Sequence, residues 1–163
     1  MRALAKSVTV VSAALLAGGL AVSAPAMADS SVQTVTAQYD CGAYGVSTLT
    51  LRASSGNGTG SIAISTPSGL APVDIPANSI SASLALQQST GGTVTFAGTA
   101  NDAAAAGQPV TIGPLTAPVT SGEQVDSYIP AVGSTDTSLT LNVLGQTNTC
   151  KAVSLQSPGP ITF

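Results

Sequence analysis

The sequence predicts an all-β protein, an antiparallel two-sheet sandwich of eight or nine short strands. Three observations carry that expectation. Apolar and polar residues alternate with period two along most of the chain, the pattern of strands with one face in a core and the other in water. Clusters of glycine, proline and asparagine interrupt the alternation at roughly the 8 to 12 residue spacing of sandwiches and barrels. A single short stretch, 101–107, reads as helical, and it is long enough for little more than one turn.

Taken in order, Val35, Ala37, Tyr39 and Cys41 alternate with Thr34, Thr36, Gln38 and Asp40, and Leu49 and Leu51 alternate with Thr48, Thr50 and Arg52. These runs should be neighbours or near neighbours. The glycines of 54–60 can take positive φ and reverse the chain into a strand holding Ile62 and Ile64. Pro67, Pro72 and Pro76 lack amide protons and fix φ, so 66–79 is expected to be a loop or an edge segment. Ile80, Ala82, Leu84 and Leu86 then pair across Gly91-Gly92 with Val94 and Phe96, a second hairpin. Asn101 or Asp102 could cap a helical turn of alanines that ends at Gly107. Val110, Ile112, Leu115, Ala117 and Val119 extend the strand pattern between prolines. After an irregular stretch, 121–136, come Leu139, Leu141 and Val143 in one strand and Cys150, Ala152 and Ser154 in another, with a turn expected over 145–148.

The first 28 residues have the three parts of a secretory signal: basic Arg2 and Lys6, an uncharged apolar stretch over 8–22, and the small-residue exit Ala26-Met27-Ala28. Cleavage is expected between Ala28 and Asp29, leaving 29–163 as one domain. The apolar stretch, at 15 residues, is shorter than the ~20 that a helix needs to cross the hydrocarbon layer. The tail 157–163 lacks the apolar run of a membrane anchor or wall-sorting signal. A protein released into the medium or loosely held at the envelope is therefore expected. After cleavage two basic side chains, Arg52 and Lys151, face seven acidic ones, a side-chain net of −5. Two cations cannot neutralise a run of phosphates or an anionic bilayer, so neither nucleic acid nor stable membrane insertion is expected of the mature chain.

Export places the two cysteines, Cys41 and Cys150, where thiols are usually oxidised, and with two cysteines a single intramolecular pairing exists. It would close a loop of about 110 residues and restrict the unfolded chain by roughly 4 to 5 kcal/mol in the chain-entropy account. It would also tie the first strand to the last.

The chain contains no histidine, so a Ser-His-Asp triad, a Cys-His pair and the commonest metal ligand are excluded. No Gly-x-Ser-x-Gly elbow is present, and Lys151, beside Cys150 on an expected strand, reads as an ordinary solvent-facing charge. Glu123, Asp126 and Asp136 are the acids from which a carboxylate pair could be drawn, but no sugar platform of aromatics accompanies them. Loops around Asp102, around Glu123 and Asp126, and around Asp136 are oxygen-rich without the dense acidic spacing of a calcium site. Five Thr-x-Thr pairs suit solvated strands, and an ice-binding face would need them in regular register. No catalytic residue, cofactor or metal is expected.

On Tyr39-x-Cys41, Gly92-x-Val94-x-Phe96-x-Gly98 and Cys150, the chain is similar to small secreted proteins of high-GC Gram-positive, actinobacterial, species that have no assigned activity. In composition it also resembles the secreted antitumour chromoproteins, acidic Ig-like carriers of an apolar ligand, although those have two disulfides. The resemblance implies one exported β-sandwich of Ig-like character, without a site. The tryptophan that packs on the disulfide of true Ig domains is missing. The reading of function is a non-catalytic extracellular module whose partner is an extracellular protein, a wall component or a small apolar ligand held between the sheets; an enzyme relying on carboxylates alone is the remaining alternative.

Overall fold

The structure, a computed structural model, describes residues 32–163. The expected cleavage point between Ala28 and Asp29 lies outside the described residues. Ten strands follow one another: β1 (Gln33–Asp40), β2 (Val46–Gly56), β3 (Thr59–Leu70), β4 (Ile80–Gln88), β5 (Thr93–Thr99), β6 (Pro109–Pro118), β7 (Gln124–Ser127), β8 (Leu139–Val143), β9 (Gln146–Ala152) and β10 (Ile161–Thr162). A 3-10 turn, Gly42–Tyr44, links β1 to β2.

The two-sheet, Ig-like sandwich is overturned. Eight strands run in the order β4-β5-β6-β3-β2-β1-β9-β8, and β8 pairs back onto β4, so the sheet closes into an antiparallel barrel. Every strand is apolar on one face, and period-two alternation is the same whether that face meets a second sheet or the inside of a cylinder. Closure is decided by which strands meet, and it leaves no long unpaired edge. An interior of eight strands is just wide enough to be filled by side chains. Small inward residues, Ala37, Ala53, Ala82, Ala117 and Ala152, share that space with Leu51, Ile62, Leu84, Leu115 and Leu139.

Both expected hairpins form. β2 and β3 turn through Asn57 and Gly58, at φ of 52° and 74°, and β4 and β5 turn through Gly91 and Gly92. β3 extends past Pro67 to Leu70, further than the prolines suggested. The last hairpin turns on Leu144 and Gly145, so of the turn expected over 145–148 only Gly145 belongs to it and 146–148 lie in β9. No α-helix forms over 101–107: Asn101 and Ala104 instead make isolated bridges to Ile112 and Ile75. β6 lies against β3 with a register shift at Gly113, where a Cβ would stand 2.7 Å from the Ile62 carbonyl oxygen, so only glycine fits.

One edge of β4 pairs with β5 and the other is shared between two partners. Its first half, Ile80 to Leu84, pairs with β8, and its last residues, Leu86 to Gln88, pair with β7. β10 adds to β7, while the preceding segment bonds to β1 through a reciprocal Thr36–Ser157 backbone pair and the Gln33 side chain bonds the Thr162 backbone. The lower half of the barrel is thereby closed as well. Phe163 stacks on Phe96 inside it, ring centroids 5.4 Å apart, over Gly60, where a Cβ would come within 3.0 Å of both rings. The barrel is plugged at that end.

Ser138 pins the fork. Its amide donates to the Cys150 carbonyl (2.9 Å), its carbonyl accepts from Ala85 (2.8 Å), and its hydroxyl accepts from the Ala152 amide (2.9 Å) while donating to the Tyr128 carbonyl (2.5 Å). Ser138→Ala leaves two backbone groups without their partner, one of them in the buried seam, at ~1–3 kcal/mol for each group left unpaired. Its urea midpoint should fall clearly below wild type; an unchanged midpoint would show that the fork does not depend on this hydroxyl.

Candidate functional site: the open end of the barrel

The end opposite the phenylalanines is open. Alternation aims Leu49 of β2, Ile64 of β3, Ile80 of β4, Ile112 of β6 and Leu139 and Leu141 of β8 inward, and above them they leave an apolar pocket of about 330 Å³. That volume falls at the small end of the roughly 300–1,000 Å³ of ligand pockets. Among the described residues no charged side chain lines it. One wall holds the Cys41–Cys150 disulfide, which is present as expected and joins residues 109 apart. It sits one residue beyond a short ladder, Tyr39 with Ala152 and Asp40 with Lys151, the whole of the β1–β9 pairing. The bridge therefore reinforces a seam of only two residue pairs, and it ties β1 to β9 rather than to the final strand, β10.

The opposite lip is built by two loops. The crossover 71–79 passes from β3 to β4 over the ends of β6 and β5, because β4, β5 and β6 lie beside β3 in Greek-key order. There it meets the loop 100–108, with Ile75 and Ala104 exchanging backbone bonds of 2.8 and 2.9 Å and Ala71 bonding to both Gly107 and Gln108 (2.8 Å). Asn101, read from the sequence as a helix cap, has a different task. Its buried amide accepts from Ser79 and Ile80 (2.8 and 2.9 Å) and donates to the Pro76 and Asp102 carbonyls (both 2.8 Å), satisfying all of its capacity. Ala71, Ile75, Ile80 and Ala104 pack beneath as a second small core. A lip held this way keeps its shape without a ligand.

The rim is apolar where solvent would favour polar residues. Asp40 accepts from the Gly42 amide (2.9 Å), and the 3-10 turn that follows holds Tyr44 at 74% exposure at the pocket edge. Val46 and Leu70 are also exposed at this end. Leu144 is the clearest case, since it is 51% exposed and has φ of 50°, a left-handed conformation that asparagine or glycine adopts far more readily.

The acids considered from the sequence are scattered. Glu123 accepts from the Thr120 amide (3.0 Å) and from Gln88 (2.8 Å) near the plugged end, and these bonds hold its carboxyl below the usual range. Asp126 accepts from the Ser127 and Gln156 amides (both 2.7 Å), and Asp136 accepts from the Tyr128 hydroxyl (3.0 Å), which raises the Tyr128 pKa. Lys151 donates to the Ser134 carbonyl on the barrel's flank. Among the described residues no three histidine, cysteine or acidic side chains group as metal ligands, so the loops at Asp102, Glu123 and Asp136 remain separate. Of the Thr-x-Thr pairs, those on β1 and β2 come side by side, Thr36 opposite Thr50, while those on β5 and β9 are kept apart by β4 and β8. The sequence reading missed the pocket itself; the alternation named its lining residues without showing that they face one another across an open end.

Compared with known proteins, the chain matches no family model, and no curated protein or solved structure matches it significantly.

Below the pocket, Tyr39 is fully buried, and its hydroxyl, the Ser127 hydroxyl and the Gln156 amide nitrogen lack hydrogen-bond partners. Burial pushes the Tyr39 pKa from 10.0 up to about 12; the nearby Ser127 hydroxyl opposes the shift without reaching hydrogen-bond geometry, and the Asp126 charge adds to it. The unfolded chain thus ionises Tyr39 first. Its contribution to stability is full below pH 10 and is lost as pH rises toward about 12. Tyr39→Phe should match or exceed wild-type stability at pH 7, because it removes a buried hydroxyl without a partner. It should also lack this part of the alkaline loss in urea titrations; a difference between the two proteins that stays constant across that pH range would contradict the assignment.

Proposed function

We propose that this chain is an exported, non-catalytic binding protein that carries a small apolar ligand in the open end of its barrel. The observation that carries the reading is the pocket: concave, apolar, free of charged lining side chains among the described residues, and bounded by a disulfide on one side and a hydrogen-bonded lip on the other. A site between two sheets has no place in a closed barrel, so the ligand enters at the barrel's mouth. The leader expected over 1–28 and an oxidised cysteine pair support export, and a chain without histidine supports binding over catalysis. Outward strand positions such as Thr34, Thr36, Gln38, Thr48 and Thr50 are polar while inward ones are apolar, the reverse of a barrel that faces lipid. With two cations in the mature chain, nucleic acid remains a poor partner. The second reading, a module that grips an extracellular protein or wall component, is favoured by the same exposed rim of Tyr44, Val46, Leu70 and Leu144.

Native mass spectrometry of the protein secreted by its own host should show an added mass that organic solvent removes. Val143→Phe, which narrows the pocket, should reduce the bound fraction without lowering the melting temperature. A wholly apo protein that also fails to take up an added apolar dye would contradict the carrier reading.

A further inference from the structure

The mouth has two unlike sides. Toward β3, β4 and β6 its wall is mostly aliphatic, with Ile64, Leu70, Ile80, Val110 and Ile112 beside the polar Ser65 and Thr66 of β3. Toward β2 and β9 it carries Ser47 and Asn148, and these flank the disulfide. Ser47 lies opposite Tyr39 on β1, and Asn148 lies opposite Leu141 on β8, in the alternating set that also points Cys150 and Leu141 inward. Neither side chain is hydrogen-bonded within the described protein. Asparagine is a poor strand former, and an amide facing an apolar pocket loses its water when the pocket fills. A hydrocarbon with nothing to offer it would leave that amide unpaired and so bind less tightly than a chain with a polar head.

Charge in the two lip loops has one sign: Asp74 and Asp102 stand there, and Asp74 bonds the Ala106 amide. Below the disulfide Asp40 lies opposite Lys151, whose ammonium is engaged with the Ser134 carbonyl on the flank, and Arg52 lies opposite Thr34 and Ala63, far along β2 from the mouth. An anionic head would lose its hydration and meet the acids of the lip, with Lys151 already engaged outside the pocket.

We infer that the ligand is a neutral single-chain amphiphile, an aliphatic chain directed toward Leu49, Ile64 and Leu139 with one hydroxyl or amide head bonded to Asn148 and Ser47. This rests on the reading of the mouth as a ligand pocket. At about 30 Å³ for a water-sized group, the volume accommodates about ten methylene-sized units, so the chain is of medium length.

The test is calorimetric titration of the mature protein with five probes sharing a ten-carbon chain: decanol, decanamide, decane, decanoate and decyltrimethylammonium. Decanol and decanamide should bind about tenfold or more tighter than decane and decanoate. Asn148→Leu should erase the preference by weakening decanol and strengthening decane, and Ser47→Ala, a smaller change, should reduce it in part; melting curves of both variants establish that they fold. Decanoate or the ammonium binding as tightly as decanol, or a preference unchanged in Asn148→Leu, would overturn the neutral-head inference while leaving the pocket intact. Failure of all five to bind would instead remove the pocket reading, and this inference with it.

Discussion

Closure of one sheet on itself is the constraint from which the rest follows. The wall is completed at two places, where β8 joins β4 and where β9 joins β1, and the second is a ladder of two residue pairs extended by the Cys41–Cys150 bridge. With these seams in place the strands share one interior, edges disappear, and both ends of a cylinder need separate solutions. At one end the solution is burial: Phe163 on Phe96, with Ile161 and Val125 beside them. At the other it is a lip of two crossed loops that stops short of covering the apolar interior. The asymmetry between a plugged end and an open end is the physical basis of the functional reading.

The fork in β4 explains how a barrel of few large side chains is sealed. An eight-stranded cylinder lined by many alanines would leave gaps if its strands ran parallel for their full length. Here β4 changes partner midway, β7 and β10 fill the opening, and Ser138 holds the strands where they diverge. Apart from Asn101 in the lip, the buried polar side chains among the described residues lie in that region. Three of them, on Tyr39, Ser127 and Gln156, stay unpaired, so the fork is also where the interior is least well satisfied.

Much of the local structure was legible in the sequence. Alternation identified the inward residues of β1, β2, β4 and β8, and glycine-rich turns marked the β2–β3 and β4–β5 hairpins. The single cysteine pair identified the bridge. The architecture was not legible, because alternation reports that a strand has one buried face and is silent on which strand lies beside it. Leu144 hid the last turn, since an apolar residue at positive φ gives no turn signal. Asn101 was mistaken for a cap because three of its four bonds reach residues more than twenty positions away and the adjoining alanines suggested a helix. The pocket was hidden for the same reason as the barrel: Leu49, Ile112 and Leu141 become one surface only when β2, β6 and β8 are brought around a common axis.

The most direct test of an end-open barrel carrying a ligand at its mouth is a methyl-detected NMR titration of residues 29–163 with decanol. Methyl signals of Ile80, Ile112, Leu141 and Val143 at the open end should shift together and saturate, while those of Val125 and Ile161 at the plugged end stay in place. Shifts centred on the plugged end, or spread evenly over the protein, would contradict the account.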